Sequence, residues 1–336
     1  IINNSIINGS RWYQHTGGIY YSPLTKTSNS QFIFTNVTFN SIDFTNNQAS
    51  VSKLNVCFFF DLRDISFEIN DIHISSCTGD ALGGIVENSG SPFLFDSWTF
   101  TSNTLTSIVT SSPSQIRNII LIQSQSPLEF NYCKFLSNAK RDDYGAAYQI
   151  FLHDVSFFTC EFEGNLAKHG GAISIRGVKQ SVAIINCTFM ANEADSTLGN
   201  GGAIHFLPGG NETFKEVKVA NCTFSRCKAA NGGALFINSA IRFQLDGINQ
   251  FDSCSCTKSD GYGSVIALQT KTTFFELPPA TIIENQTDGS QYIVYAFCPD
   301  FRCFNLKLNK NITQNGFYIY GDEGETELAY LHFDNA

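Results

Sequence analysis

A short phrase built on two glycines and an alanine recurs along this chain. It reads HGGAISI at 169–175, NGGAIHF at 200–206 and NGGALFI at 231–237. Self-similarity at a period of about 20 to 50 residues is typical of solenoid folds, whose stacked units share one continuous core. A catalytic glycine loop would occur once, so the phrase predicts a structural corner that returns in each unit. The predicted corner glycines are Gly170, Gly171, Gly201, Gly202, Gly232 and Gly233.

A second phrase precedes the glycine corner and combines C-x-F with F-x-x-N. It is complete in VAIINCTFMAN at 182–192 and degenerate elsewhere, and it recurs at spacings of 26 to 35 residues. Equivalent residues of a solenoid lie above one another. The phenylalanines Phe100, Phe135, Phe162, Phe189, Phe224 and Phe251 are therefore predicted to form one core stack, continued by Phe39, Ile74 and Ile282 in the same position.

Apolar side chains alternate within each unit, as they do in strands and not in helices. Val182 and Ile184 share one face, Cys187 and Phe189 share the inner face beyond a corner at Asn186, and another alternating run follows the glycine pair. Each unit thus offers three short strands and three corners, which predicts an all-β fold, a parallel β-helix. We expect about ten coils over residues 1–290 and terminal coils or a C-terminal cap over residues 291–336.

The corners have a physical explanation in this arrangement. Coils stacked about 4.8 Å apart press closely at the glycine pair, where a positive φ is also expected. Asparagine at the end of F-x-x-N can adopt left-handed geometry and bond the backbone of the neighbouring coil. Cys77, Cys227 and Cys254 replace it in three units. The predicted asparagine corners are Asn103, Asn138, Asn165, Asn192 and Asn285.

The combination of GGA[ILV] with FxxN resembles the polymorphic outer membrane protein repeat of chlamydial surface proteins and of surface-protein families in some protists. The resemblance covers roughly residues 15–290 and is strongest over residues 133–237. It implies a right-handed β-helix, a pectin-lyase-like solenoid, at a cell surface and with a role in adhesion. Because its sequons suit a eukaryotic secretory route, we expect a protist-like surface member.

Net charge and glycosylation sequons indicate the partners and the cellular compartment of the chain. The net charge is −9, and no basic cluster occurs, which argues against nucleic acid or an anionic membrane surface as a partner. No apolar run is long enough to span a bilayer. The chain opens at Ile1 without a leader, so we expect a mature product or an excised fragment. The N-glycosylation candidates are Asn36, Asn186, Asn211, Asn221, Asn285 and Asn311.

Eleven cysteines without a CxxC pair favour disulfides in an oxidising compartment. Cys227 with Cys254, on adjacent asparagine corners, and Cys298 with Cys303 are the predicted bridges. For one further column two interpretations stay open: two vertical bridges, or an inward ladder of free thiols that act as small apolar residues. The members of that column are Cys133, Cys160, Cys187 and Cys222.

Several carbohydrate-active enzymes are β-helices, which makes a hydrolytic site one candidate function. Inverting polygalacturonases pair carboxylates across a water, and this chain offers Asp142 and Asp143 with His169 one coil later. The candidates are weak, since His169 merely precedes the repeated glycine pair and the basic residues of RGVK have the wrong spacing. We therefore expect solvated loops, no enzyme activity, no metal site and no cofactor.

Binding remains as the expected function. Outward side chains beside the glycine corner are predicted to form a column on one flat, solvated face, with His205 on the surface. The chain is thus predicted to be an extracellular or cell-surface glycoprotein, an adhesive or structural segment of a larger protein that binds other proteins or glycans. A polysaccharide lyase or hydrolase and a self-associating filament subunit are the alternatives. The predicted column is Gln149, Ser174, His205, Phe236 and Gln269.

Overall fold

A computed structural model of the chain forms strands, turns and bends, with no α-helix among the described residues. Asn211, Asn285, Asn311 and Cys298 lie outside those residues, so the predictions made for them stay predictions. The structure describes residues 2–8, 19–21, 31–42, 58–62, 66–79, 82–86, 92–105, 120–123, 127–145, 148–150, 154–176, 181–207, 216–238, 243–269, 275–277, 281–284, 292–297, 301–304, 307–309, 315–320, 326–329 and 332–334.

The strands are short, and they follow one another in the same order from coil to coil. In chain order they are β1 (Ile2–Asn8), β2 (Ile19–Tyr21), β3 (Gln31–Asn40), β4 (Phe58–Asp61), β5 (Ser66–Ser75), β6 (Thr78–Gly79), β7 (Gly83–Val86), β8 (Phe93–Asp96), β9 (Thr99–Thr101), β10 (Thr104–Leu105), β11 (Ile120–Gln123), β12 (Leu128–Asn131), β13 (Lys134–Leu136), β14 (Ala139–Tyr144), β15 (Tyr148–Ile150), β16 (Val155–Phe158), β17 (Glu161–Glu163), β18 (Leu166–His169), β19 (Ile173–Arg176), β20 (Ser181–Ile185), β21 (Thr188–Met190), β22 (Glu193–Ala194), β23 (Ile204–Leu207), β24 (Glu216–Ala220), β25 (Thr223–Ser225), β26 (Lys228–Ala229), β27 (Leu235–Ile237), β28 (Phe243–Asp246), β29 (Gln250–Asp252), β30 (Ser255–Cys256), β31 (Ile266–Leu268), β32 (Phe275–Leu277), β33 (Ile282–Glu284), β34 (Tyr292–Phe297), β35 (Phe301–Phe304), β36 (Lys307–Asn309), β37 (Asn315–Tyr320), β38 (Thr326–Ala329) and β39 (His332–Asp334).

Residues 181–207 show the anatomy of one coil. Buried and outward side chains alternate along β20 and β21, as the period of two requires. Left-handed backbone turns the chain at Asn186 (φ 55°), at Ala191 (φ 51°) and at Gly201 (φ 68°). A further two-residue strand, β22, lies between the second and third corners. The repeat pattern did not predict it, because two residues are too few to show an alternation.

Strands of successive coils pair in parallel and in register, so the predicted parallel β-helix is confirmed. The strands on either side of the first corner belong to one large sheet, whose rungs run β1–β3–β5–β9–β13–β17–β21–β25–β29–β33–β36–β39, with β8, β12, β16, β20, β24 and β28 beside them. The other faces are β6–β10–β14–β18–β22–β26–β30, then β2–β4–β7–β11, then β15–β19–β23–β27–β31–β34–β37, and finally β32–β35–β38.

The predicted aromatic stack runs up the inside of the largest sheet. From Phe100 to Phe251, the ring centroids of successive members lie 4.7–5.0 Å apart and the ring planes differ by at most 10°. Such stacking stabilises the core beyond the burial of the rings themselves. One assignment was wrong: Ile283, which is fully buried, pairs with Phe251, and Ile282 faces outward. Two adjacent isoleucines fit the pattern equally, and a slip of one residue reverses the faces.

The asparagines of F-x-x-N form a buried hydrogen-bonded ladder. Asn165 Oδ1 accepts hydrogen bonds from the backbone N–H of Asn138 (3.0 Å) and from its Nδ2 (3.1 Å), while Asn165 Nδ2 donates to the Phe135 carbonyl (2.7 Å) and to Asn192 Oδ1 (2.9 Å). Each amide therefore joins its own coil to both neighbours. All four described asparagine corners, Asn103, Asn138, Asn165 and Asn192, are fully buried.

The left-handed residue of this corner is not the asparagine, as the sequence predicted, but the residue before it. That residue has a φ of 51–63° in the coils that contain the ladder. The asparagine then points inward, where its amide is needed. Because serine, glycine and alanine all occupy the left-handed position, it left no signature in the sequence. The residues are Ser102, Ser137, Gly164 and Ala191.

Six cysteines at the asparagine corners and in the neighbouring corner column are buried free thiols: Cys133, Cys160, Cys187, Cys222, Cys227 and Cys254. In the Cys133–Cys222 column each thiol points to a carbonyl one coil away; Cys160 Sγ lies 3.2 Å from the Phe130 oxygen. The structure thus corresponds to the free-thiol ladder. Cys227 and Cys254 are also free, so the predicted bridge between them is not formed.

A thiol can replace asparagine because it still donates a hydrogen bond. Cys227 Sγ contacts the Phe189 oxygen at 3.6 Å, and Cys254 Sγ contacts the Phe224 oxygen at the same distance. These carbonyls are equivalent to the ones that bind the asparagine amides in other coils. Burial raises the pKa of the Cys254 thiol well above its usual value, which keeps the proton available for donation.

The glycine pair combines two requirements, as predicted. Gly170, Gly201 and Gly232 have a φ of 60–68°. The second glycine lies against the next coil: a Cβ on Gly202 would stand 2.1 Å from the Gly233 oxygen and 2.5 Å from the Lys228 nitrogen. No side chain fits there without moving the backbone of the neighbouring coil.

We predict that Gly202→Ala lowers the free energy of unfolding by about 3 kcal/mol, because the added methyl group separates two coils. Gly164→Ala is the matched control. Its left-handed φ costs about 1 kcal/mol, but its Cβ would come no closer than 3.3 Å to a neighbouring atom, the side-chain Oγ of Ser137, and the next coil already has Ala191 at this corner. Urea titrations of both variants would measure the difference, and equal losses would contradict the explanation.

Candidate functional site

The outer face of the β15–β37 sheet is where the sequence predicted a binding column. Gln149 pairs with Ser174, Ser174 with His205 and His205 with Phe236, so this register is confirmed. The next member is Ala267 and not Gln269. The column continues to Tyr295 and Tyr318.

The middle of this column is buried, which the sequence did not predict. Ser174, His205, Phe236 and Ala267 are each at most 1% exposed, although they point away from the main core. An alternation of two identifies the side of the sheet on which a residue lies. It does not indicate whether other parts of the chain cover that side. The expectation of a solvated face and a surface histidine was therefore wrong here.

His205 packs in a small outer aromatic layer. Its ring lies 5.2 Å from the ring of His169 and 5.4 Å from the ring of Phe236. Burial lowers the pKa of His205 well below its usual value, and the nearby His169 lowers this pKa further. His205 is thus a neutral packing residue at physiological pH.

The weak catalytic candidates are neighbours in the fold, but His169 has a structural role. Asp142 and Asp143 lie in β14, at an irregularity between Lys140 and Tyr144, and it is Tyr144 that pairs with His169. His169 Nδ1 accepts a hydrogen bond from the Asn200 N–H at 3.2 Å. The histidine therefore helps to hold the glycine corner of the next coil.

Four tyrosines form a cluster, here named the tyrosine face, at the far end of the same outer surface. Tyr295 lies 5.0 Å from Tyr318 with nearly parallel rings, 4.7 Å from Tyr262 and one strand away from Ala267. Tyr292 contacts Tyr318 at 5.1 Å. Tyr262 and Tyr318 are 38% and 39% exposed, so this end of the surface is open to solvent. Sequence reasoning missed the cluster, because its members come from three different segments.

A row of amides continues the tyrosine face along the coil corners. Asn231 Nδ2 donates to Asn200 Oδ1 at 2.8 Å, and Asn231 Oδ1 accepts from the Tyr262 N–H at 3.0 Å. Asn200, Asn231 and Tyr262 thus occupy one corner position in three successive coils. Both asparagines are partly exposed.

Three sequons lie on exposed outer corners. Asn36, Asn186 and Asn221 have left-handed backbone, with φ of 50°, 55° and 53°. Asn221 Oδ1 accepts a hydrogen bond from the Ile248 N–H at 2.9 Å. Asn186 and Asn221 are one coil apart, so glycans on both would be crowded, as expected from the sequence.

The rest of the described chain contains neither a metal-binding cluster nor a membrane-spanning helix. Within the described ranges, no three histidine, cysteine or acidic side chains come together as a metal site requires. Nor does this part of the chain contain a helix with the length and hydrophobicity needed to cross a bilayer. A shallow groove of about 260 Å³ lies on the large sheet, lined by residues that include Leu128, Asp154, Ser181 and Lys218.

In comparisons with known proteins, no family model, no curated protein and no solved structure matches this chain. The fold is therefore known from the structure itself. The resemblance of the GGA[ILV] and FxxN phrases to a surface-protein repeat stays a prediction.

We predict that acid destabilises the chain through His205. The folded-state pKa of His205 is depressed, so below pH ~6.5 the unfolded chain takes up a proton that the folded chain does not. The free energy of unfolding therefore decreases as the pH is lowered, by at most about 1.4 kcal/mol per pH unit. His205→Phe should reduce this slope because it removes the titrating group. The fold should tolerate the change, since Phe236 occupies the same column. The reciprocal Phe236→His should steepen it. Urea titrations at pH 7.5, 6.5 and 5.5 would test both; an unchanged slope in His205→Phe would contradict the prediction.

Proposed function

We propose that the chain is a rigid extracellular segment, secreted or displayed on a cell surface, that acts as an adhesive and structural part of a larger protein. The observation that carries this proposal is that the recurring polar side chains form hydrogen bonds within the scaffold. Asn165 bonds both neighbouring coils, Cys227 replaces such an asparagine, and His169 supports a glycine corner. What varies from coil to coil is then the outer surface, as expected of a scaffold that presents binding groups.

Two further features support an extracellular location. The sequons Asn36 and Asn186 lie on exposed corners, where a glycan would project into solvent. The net charge of −9 suits a soluble surface that does not adhere to nucleic acid or to anionic lipid. In-register packing would make the segment a stiff spacer, since each coil is held by its neighbours.

The experiment is adhesion of coated beads. The chain would be expressed through the secretory route of cultured eukaryotic cells, and beads coated with it would be applied under flow to a monolayer of animal epithelial cells. We expect secretion with a glycan on Asn186 that an amidase removes, and retention above that of albumin-coated beads. Retention no higher than with albumin would contradict the adhesive role.

A second measurement distinguishes the adhesive proposal from the alternative of a polysaccharide-degrading enzyme. The secreted chain would be incubated with polygalacturonate, and new reducing ends and unsaturated products would be counted. We expect none above a buffer control. Product that is lost in Asp142→Asn, Asp143→Asn or His169→Asn would replace the adhesive proposal with a polysaccharide-degrading enzyme.

A further inference from the structure

The glycine corner contains a chemically reactive pair of residues in two successive coils. These pairs are Asn200–Gly201 and Asn231–Gly232. Asparagine is thermolabile, and a following glycine has no side chain to hinder attack by its backbone nitrogen on the asparagine Cγ. A bond forms between this nitrogen and Cγ, the bond from Cγ to Nδ2 breaks, and the proton of the nitrogen leaves with Nδ2 as ammonia. Water then opens the cyclic imide to aspartate or to isoaspartate, whose backbone is longer.

The repeat does not require asparagine at this position. His169 precedes the left-handed Gly170 in the coil before, and Tyr262 precedes the left-handed Gly263 in the coil after. Both are at the corner position that the two asparagines occupy. The reactive pairs are therefore a property of two particular coils and not of the fold in general.

The fold occupies the attacking nitrogen in both pairs. The Gly201 N–H donates to the Asn231 carbonyl at 2.9 Å. The Gly232 N–H donates to the Tyr262 carbonyl at 2.8 Å and to the Gly263 carbonyl at 3.0 Å. Each of these bonds joins one coil to the next. The nitrogen can therefore attack only when the coils separate at the corner, which is a local opening.

The surroundings of the asparagines allow the second step. Asn200 and Asn231 are partly exposed, whereas Gly201 and Gly232 are buried. Water can thus reach the cyclic imide once it has formed. The amide does not return, because ammonia has left.

The two corners are coupled in one direction. Asn231 holds the Asn200 corner through two bonds: its carbonyl accepts the Gly201 N–H, and its Nδ2 donates to Asn200 Oδ1 at 2.8 Å. Deamidation of Asn231 replaces Nδ2 by a carboxylate oxygen, which cannot donate and which repels Asn200 Oδ1. The reverse effect is not expected, because the Gly232 N–H is held by the following coil.

We propose that Asn200 and Asn231 are sites of spontaneous deamidation, that each reacts only when its corner opens, and that reaction at Asn231 promotes reaction at Asn200. Water is the co-reactant, and the product is an aspartyl or isoaspartyl residue in the corner column. Such a change is irreversible and weakens the contact between coils. It would limit the lifetime of the stack whatever the outer surface binds.

The test compares the folded chain with the same chain unfolded in guanidinium chloride. Both samples are kept at pH 8.5 and 37 °C, and the products at Asn200 and Asn231 are followed by peptide mapping and mass spectrometry. We expect both residues to react at least about a hundredfold more slowly in the folded chain, because the open corner is a minor state. Equal rates in the two samples, or no reaction in the unfolded chain, would overturn the proposal.

The direction of the coupling is tested with a pair of matched variants. Asn231→Asp introduces the product at one corner and should speed the reaction of Asn200 at least about tenfold in the folded chain, since a hydrogen bond that closes this corner is lost. Asn200→Asp is the control. Its carboxylate still accepts from Asn231 Nδ2, so the rate at Asn231 should equal that of the parent chain.

Circular dichroism and urea titration would confirm that both variants are folded. If Asn231→Asp does not fold, Asn231→Ala replaces it, because alanine removes the donated bond without adding charge; Asn200 should again react faster than in the parent chain. An unchanged rate at Asn200 in the folded position-231 variant, or an equal acceleration of Asn231 in Asn200→Asp, would overturn the proposal.

Discussion

The structure depends on vertical register between coils. An inward polar group at a buried corner of a β-helix is out of contact with water, and leaving it unpaired would cost about 1–3 kcal/mol. Asn138, Asn165 and Asn192 avoid that cost only when the coils stack without a slip, because each amide completes the hydrogen bonds of the next. The same register places Phe162 on Phe189 and brings Gly171 against the oxygen of Gly202. Stability is therefore a property of neighbouring coils more than of any one coil.

Features that every coil needs could be predicted from the sequence. The stack from Phe100 to Phe251 and the glycine corner follow from packing and backbone constraints that only a few residue types satisfy. Less constrained features could not be predicted. Left-handed positions such as Ala191 accept many residues, Ile282 and Ile283 fit the repeat equally, and the two residues of β22 are too few for a pattern.

The outer surface was the least predictable part. Alternation placed His205 and Phe236 correctly on the outer side, yet both are buried, because burial there depends on contacts between stacked coils, such as those of the His205 ring with His169 and Phe236. The tyrosine face, from Tyr262 to Tyr318, was missed for the same reason: its residues come together only when the coils stack. Inner and outer positions therefore differ in their physical constraints. Inner positions are constrained by the neighbouring coil, whereas outer positions are free to differ and so to carry recognition.

Vertical register is tested most directly by cross-linking outward positions. Glu161 pairs with Thr188 and Thr188 with Thr223 on the large sheet. Cysteines one rung apart stand about 4.8 Å from each other, within the range for a disulfide, whereas two rungs give about 9.6 Å. After mild oxidation and peptide mapping, Glu161→Cys with Thr188→Cys should be bridged, and Glu161→Cys with Thr223→Cys should remain reduced. Bridging of the second pair in place of the first would contradict the account.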